Sequence, residues 1–243
     1  MTKQLNNEHD SVQYHQSMKK QVAVVLECWK AYIAQDLKEK ERFLSKDATG
    51  GYIRRAGGAK ELFDVSMEYF RHPIFLSHKS TQSQRFLAES RELLRCCSDM
   101  VEEFSRTLTA EAGTDFIKRM LCSSNRWTVR YRYYPPGVVL QNSEPHVAHC
   151  VATIYLYESD PALEYYDGRS WKKFNFSETT RPCFTGTEVE ELSHGKLEAL
   201  KHRVMSTPES IEKGRYSIAL FVLPSDEEIE RPRSQGRLRA AMK

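Results

Sequence analysis

The spacing of apolar residues changes character near residue 125, and that switch limits the possible folds more than any other feature. In residues 21–44, Val22, Val25, Leu26, Trp29, Ile33 and Leu37 recur three and four apart, which predicts one amphipathic helix. Residues 82–108 repeat the pattern with Phe86, Leu87, Leu93, Leu94, Met100, Val101 and Phe104, and residues 111–121 are predicted as a third helix. Between the first two lies GGYIRRAGGAKELFD, read as a glycine-punctuated loop near the core. Beyond residue 125 the segments WTVRYRYY, VATIYLY, LEYYD, SWKKF and RYSIALFVL are short and rich in β-branched and aromatic residues, so each is predicted as a strand. Turn signals divide them: PPG at 135–137, ESDP at 158–161, DG at 167–168 and HG at 194–195.

A helical half followed by a strand-rich half predicts an α+β fold, with helices backing a β-sandwich or barrel. The 243 residues suffice for one buried core, so one domain is expected over 1–243. Within it, 1–124 would be mainly helical support, 125–225 the β core, and 226–243 a basic, solvated tail. A net charge of +3 gives no reason to expect a nucleic-acid polymer as partner. No run of 18 apolar residues offers a membrane span. The polar start, MTKQLNNEHD, lacks the apolar core of a signal peptide, and a cytoplasmic location is expected. The six cysteines (Cys28, Cys96, Cys97, Cys122, Cys150, Cys183) show no CxxC or zinc-ligand spacing and are expected as reduced, mostly packing thiols.

Two histidines stand where strands begin. His146 precedes VATIYLY, and His202 lies in LKHRVMS. Distant positions in a β-sandwich can meet at one open end, although either histidine alone is more often a surface or packing residue. Their surroundings carry more. Tyr133-Tyr134-Pro135-Pro136 is followed by a loop, by His146-Val147-Ala148 and by Thr153, seven residues past the histidine. Further on come Leu192-Ser193-His194-Gly195-Lys196, the His202-Arg203-Val204 triplet, and Arg215 and Ser217 in an RxS strand. In that order, these motifs resemble 2-oxoglutarate-dependent iron(II) oxygenases of the isopenicillin-N-synthase-like type. The likeness covers roughly the C-terminal 100 residues well and the helical half loosely.

The resemblance implies a double-stranded β-helix, or jelly roll, with the N-terminal helices packed on one sheet. It implies that His146 and His202 are ligands of Fe(II), and that Arg215, Ser217 and Tyr134 bind 2-oxoglutarate. Arg215 would take the distal carboxylate in a bidentate fork. Arg132 stands where many relatives carry Asn; it would add positive charge near the co-substrate or face solvent. The family's third ligand is an Asp or Glu two residues after the first histidine, and here that residue is Ala148. Radical halogenases of the superfamily share this substitution, with chloride filling the open iron position. The resemblance therefore implies Fe(II), 2-oxoglutarate, O2 and chloride as cofactors and co-substrates. It implies chlorination of an unactivated carbon, with Ala148 marking the halide position.

Other readings stay open. Glu144, His149 or Cys150 would have to double back to replace the missing ligand. A hydroxylase altered at position 148 and a non-catalytic 2-oxoglutarate- or metal-binding relative are the remaining alternatives. The expected substrate is a free small molecule of natural-product or antibiotic biosynthesis, a nucleotide ahead of an amino acid. Arg54, Arg55, Lys60, Arg71 and Lys79, with Arg231, Arg233, Arg237 and Arg239 in the tail, would suit a phosphate or carboxylate. Tyr52, Phe63, Phe70 and Phe75 would be placed to stack on a base or to pack the core.

Overall fold

A computed structural model describes residues 11–44, 50–71, 81–112, 127–139 and 145–223. In chain order these form β1 (Ser11–Gln13), α1 (Gln16–Ile33), α2 (Leu37–Glu41), β2 (Gly51–Arg55), β3 (Lys60–Ser66), α3 (Thr81–Cys96) and α4 (Ser98–Ala112). There follow β4 (Trp127–Tyr134), β5 (Ala152–Glu158), β6 (Leu163–Tyr166), β7 (Trp171–Lys173), β8 (Thr180–Thr185), α5 (Thr187–Leu192), β9 (His202–Val204), α6 (Pro208–Lys213) and β10 (Arg215–Val222).

Two antiparallel sheets face one another. The larger has the order β1-β8-β5-β10-β4-β3-β2 and the smaller β7-β6-β9. This is the jelly-roll arrangement, with helices laid on the outside of the larger sheet. The alternation in WTVRYRYY produces that layering, because successive strand residues point to opposite faces. Trp127, Val129 and Tyr131 are buried with the helices, whose own stripe supplies Trp29, Tyr32 and Phe86. The Phe86 and Tyr131 ring centroids lie 4.9 Å apart, and those of Trp29 and Tyr131 5.7 Å. Each such aromatic pair adds about 0.5–1.5 kcal/mol beyond the area it buries. A smaller core between the sheets gathers Tyr155, Leu163, Tyr165, Phe174 and Phe184.

Three expected elements differ. Residues 50–64 form the β2–β3 hairpin rather than a loop. Their glycines are concentrated in the turn, where Gly57 (φ 66°) and Gly58 (φ 106°) take left-handed backbone that glycine allows without steric cost. The helix expected over 21–44 stops at Ile33. After the break, Lys40 folds back so that its ammonium donates to the Ile33 carbonyl (3.1 Å) and pairs with Glu61 (2.7 Å). The helix expected over 82–108 divides at buried Cys97, and the second part, α4, runs to β1. There the Glu103 carboxylate accepts the Gln13 amide. The helix expected over 111–121 lies beyond residue 112 outside the described residues. No helix among those described is long and apolar enough to cross a membrane.

Candidate active site

His146 and His202 meet through a short antiparallel bridge. The His146 amide donates to the His202 carbonyl (3.1 Å), and the His202 amide donates back (2.9 Å). The bridge brings their ring centroids to 4.5 Å. His202 Nδ1 sits 3.0 Å from the Leu200 carbonyl, which can only accept, so Nδ1 carries the proton and Nε2 keeps its lone pair. This bond fixes both tautomer and ring direction. Burial pushes His202 down to about 4 against the Leu200 bond, and the His146 and Arg132 charges act in the same direction as burial. The ring is therefore a neutral imidazole over ordinary pH, the form that binds metals.

Ala148 is held by its backbone. Its carbonyl accepts the Thr187 amide (2.9 Å), and the Val151 carbonyl accepts the Gly186 amide (3.1 Å). A Cβ at position 186 would overlap the carbonyl oxygens of Cys150 and Ala148, so this close approach requires glycine. The nearby candidates for a replacement ligand are otherwise engaged. His149 Nδ1 lies 3.4 Å from the Thr187 hydroxyl, and Cys150 Sγ lies 3.4 Å from that of Thr153. Burial pushes the Cys150 thiol up to about 11, against the Thr153 bond, and keeps it protonated. Glu144 lies outside the described residues. Among the described residues no three His, Cys, Asp or Glu side chains cluster so as to hold a metal.

Both histidines and Ala148 line a cavity of about 410 Å³. Its wall is the inner face of β4, which presents Thr128, Arg130, Arg132 and Tyr134. Arg130 forms a two-pronged pair with Asp64 on β3, both contacts 2.7 Å. Arg132 has no such partner: its Nη1 is buried with no hydrogen bond, and its guanidinium lies 5.3 Å from the Phe221 ring. Lys60 also lines the cavity, with Nζ 5.4 Å from the Tyr134 ring. Burial lowers Lys60 to about 8, helped by Arg132, Arg130, Arg55 and Arg215.

Arg215 and Ser217 share that inner face, opposite Tyr134 and Arg132 in the β10–β4 register, but they are not among the cavity-lining residues. Arg215, 1% exposed, donates from Nη2 to Glu158 (2.8 Å) and from Nη1 to the Ser217 hydroxyl (3.3 Å). Burial raises the Glu158 carboxyl against the pull of Arg215. Arg215 Nε and Glu158 Oε1 remain without partners.

Sequence reasoning counted Lys60 among the cations that would suit an anionic ligand, but it missed Asp64, Arg130 and Glu158 as neighbours of the site. The alternation of RYRYY, which puts Arg130, Arg132 and Tyr134 on one face of a strand, is the signal that could have found Arg130. Tyr52, Phe63 and Phe70 are buried in the helix-side core, away from the cavity, because strand alternation and the turn after β3 face them outward. Arg54, Arg55 and Arg71 are exposed, while Phe75, Lys79 and the tail arginines lie outside the described residues.

Residues 127–224 match the family described as the 2OG-Fe(II) oxygenase superfamily. No curated protein matches the sequence significantly. Among solved structures, a C-terminally truncated protein from Neurospora crassa, in apo form, is 17% identical with a TM-score of 0.71, covering 88% of this chain and 82% of its own. The full-length form of that Neurospora crassa protein, in complex with alpha-KG and 5-formyluracil, gives 16% and 0.68, covering 91% and 80%. The dioxygenase for auxin oxidation 1 of Arabidopsis thaliana, as its 2-oxoglutarate complex, gives 16% and 0.67, covering 90% and 84%. At such identities the likeness establishes the shared fold.

Proposed function

We propose that this chain, whose residues 127–224 carry a 2OG-Fe(II) oxygenase superfamily domain, is a 2-oxoglutarate-dependent halogenase acting on a small molecule. The observation that carries the reading is the pairing of His146 with a neutral, Leu200-anchored His202 at a cavity where position 148 offers only a methyl group. Two imidazoles suit ferrous iron, and the residues present fit it as a two-histidine site. Bound there with 2-oxoglutarate and O2, iron supplies an oxidant able to take a hydrogen atom from carbon, with succinate and carbon dioxide as co-products.

The chain's own residues do the rest. His202 stays neutral down to about pH 4 and remains competent as a ligand. Gly186 and Thr187 hold the Ala148 backbone in place, so the space where a carboxylate would project is left for a small anion. The Cys150 thiol, protonated and turned to Thr153, does not compete for it. Arg132 and Lys60 give the cavity a positive wall suited to anionic ligands. Ligands of the size of thymine and 5-formyluracil, found in complexes of the Neurospora crassa protein, are within the capacity of the cavity and support testing nucleobases beside nucleotides and amino acids.

The test is anaerobic loading with Fe(II), then exposure to O2 with 2-oxoglutarate and that panel, with and without chloride, read by mass spectrometry. The expected product is heavier by one chlorine less one hydrogen and vanishes without chloride. Ala148→Asp is expected to abolish chlorination and shift the residual product to hydroxylation. Hydroxylation by the wild type in ample chloride would sink the halogenase reading and leave a hydroxylase. Failure to bind 2-oxoglutarate would sink both.

A further inference from the structure

The strand registers order the charged residues of the inner wall by depth. Along β4, Thr128 faces Phe221 of β10, Arg130 faces Ala219, Arg132 faces Ser217 and Tyr134 faces Arg215. The Phe221 row continues to Thr153, whose hydroxyl lies 3.4 Å from Cys150 Sγ, so this row borders the loop that carries Ala148. Arg130, in register with Asp64 of β3, comes next to that row and stands apart from Arg215. The far end gathers Arg132, Arg215 and Lys60 and suits a dianionic co-substrate.

The Arg130 end is different. Nε and Nη2 donate to Asp64 Oδ1 and Oδ2, both at 2.7 Å, and both residues line the cavity. Their side chains are 35% and 12% exposed, so a ligand can touch this pair, unlike Arg215 and Glu158 at 1% and 4%. The pair is neutral as a whole, and an anion approaching Arg130 also meets the Asp64 carboxylate. Pairing uses only part of each group: the guanidinium keeps further N–H donors and the carboxylate further lone pairs. Because Nη2 meets Oδ2, a second Nη2 N–H and a second Oδ2 lone pair lie on the same edge, a donor beside an acceptor. The complement of that edge is a carbonyl beside an N–H, as in a cyclic amide. The Phe221 ring, 5.2 Å from the Arg130 guanidinium, offers such a ring a flat apolar neighbour. The cavity of about 410 Å³ is near the small end of ligand sites, roughly 300–1,000 Å³, and 2-oxoglutarate takes a share of it.

Resting on the functional reading above, we infer that the Asp64–Arg130 couple selects the substrate, taking the amide edge of a small uncharged ring, a lactam or nucleobase, through Asp64 Oδ2 and Arg130 Nη2. A ring without the N–H, or without the carbonyl, leaves one member of the couple unpaired in a closed site and is rejected for that reason. Anionic co-substrate and neutral substrate are thereby sorted to different ends of one cavity.

Calorimetric titration of the protein loaded with Mn(II) and 2-oxoglutarate tests this without turnover. The probes are uracil and thymine, which present the amide edge; N,N′-dimethyluracil, whose N–H groups are blocked; and orotate, the uracil ring with a carboxylate. The wild type is expected to bind uracil or thymine and to bind the other two at least about tenfold more weakly. Asp64→Asn keeps the shape and uncovers the charge of Arg130. It is expected to weaken uracil and thymine by roughly ten- to a hundredfold, the usual range for a lost charged hydrogen bond, and to make orotate the tighter ligand. Because Arg130→Gln alone would strand Asp64, the second variant is Arg130→Met with Asp64→Leu, which removes the pair together. It is expected to lose the neutral probes and keep the wild-type affinity for 2-oxoglutarate. A merely structural role for the pair would weaken 2-oxoglutarate and uracil alike and overturn the inference. A wild type that binds neither uracil nor thymine, or prefers orotate or N,N′-dimethyluracil, overturns it too, as does an unchanged order of probes in Asp64→Asn. A wild type that cannot be loaded with 2-oxoglutarate would instead overturn the functional reading on which the inference rests.

Discussion

The two faces of β4 carry different duties in alternate residues of one strand. Outward, Trp127, Val129 and Tyr131 meet the helices, and Tyr131 is enclosed by the rings of Trp29 and Phe86. Inward, Thr128, Arg130, Arg132 and Tyr134 form the cavity wall, and one arginine there lacks a partner for a buried nitrogen. The outer face contributes stability through area removed from water and ring contacts. The inner face tolerates unsatisfied polarity, which is costly to the empty fold and useful to a ligand. Because a one-residue slip would exchange the faces, the apolar outer face also fixes the inner one.

If the faces are separable in this way, substitutions should divide cleanly between stability and binding. The largest effect is expected outside. Phe86, fully buried against Trp29, Phe63 and Tyr131, is central to the outer cluster. Phe86→Ala should lower unfolding free energy by about 3–5 kcal/mol, read from the urea midpoint. The 2-oxoglutarate affinity of the folded fraction should stay unchanged; a parallel loss would show that the sheet transmits packing defects to the cavity. The converse change is inside. His146 is exposed at the cavity edge, so His146→Ala should move stability by no more than about 0.5 kcal/mol. Metal affinity and turnover should fall by about a hundredfold or more, since even the outer partners of ligands are worth ten- to a hundredfold. Retained metal after dialysis of this variant would remove His146 from the site.

What was legible in the sequence follows the same division. The outer face could be read because burial writes itself as periodicity: Val22, Val25, Leu26 and Trp29 on α1, and the alternation of WTVRYRYY on β4. The pairing of His146 with His202 was reachable only through the motif resemblance, since His146 lies in a loop, His202 opens β9, and the two meet by a single bridge. The β2–β3 hairpin is hidden in the sequence because its glycines, which shape a turn, lend a loop signal to the whole segment. With it went Asp64, and the means by which Lys60 reaches the cavity wall, since both places depend on β3 pairing with β4. The Arg215–Glu158 pair joins residues 57 apart through the β5–β10 register, and that register shifts by a bulge between Ile218 and Ala219. No local pattern announces a contact of that kind.

Lys60 sharpens the comparison with the smallest expected effect, because its two pH dependences have opposite signs. It is faced by the Tyr134 ring and by Arg55 of β2, Arg130 and Arg132 of β4, and Arg215 of β10. Burial and these cations lower it from 10.5 to about 8. Between those values the unfolded chain holds a proton that the folded chain has released, so the stability of the ligand-free protein should rise with pH across that window. Binding of a carboxylate needs the protonated amine, so 2-oxoglutarate affinity should be highest below about pH 8 and fall above it. With one linked proton the fall is at most about tenfold per pH unit. Titrations from about pH 7 to about pH 9 in the wild type and in Lys60→Met measure both trends. In Lys60→Met both slopes should flatten. If affinity in the wild type and the variant follows the same pH curve, the Lys60 charge does not reach the ligand, and the positive field of the inner face reduces to Arg132.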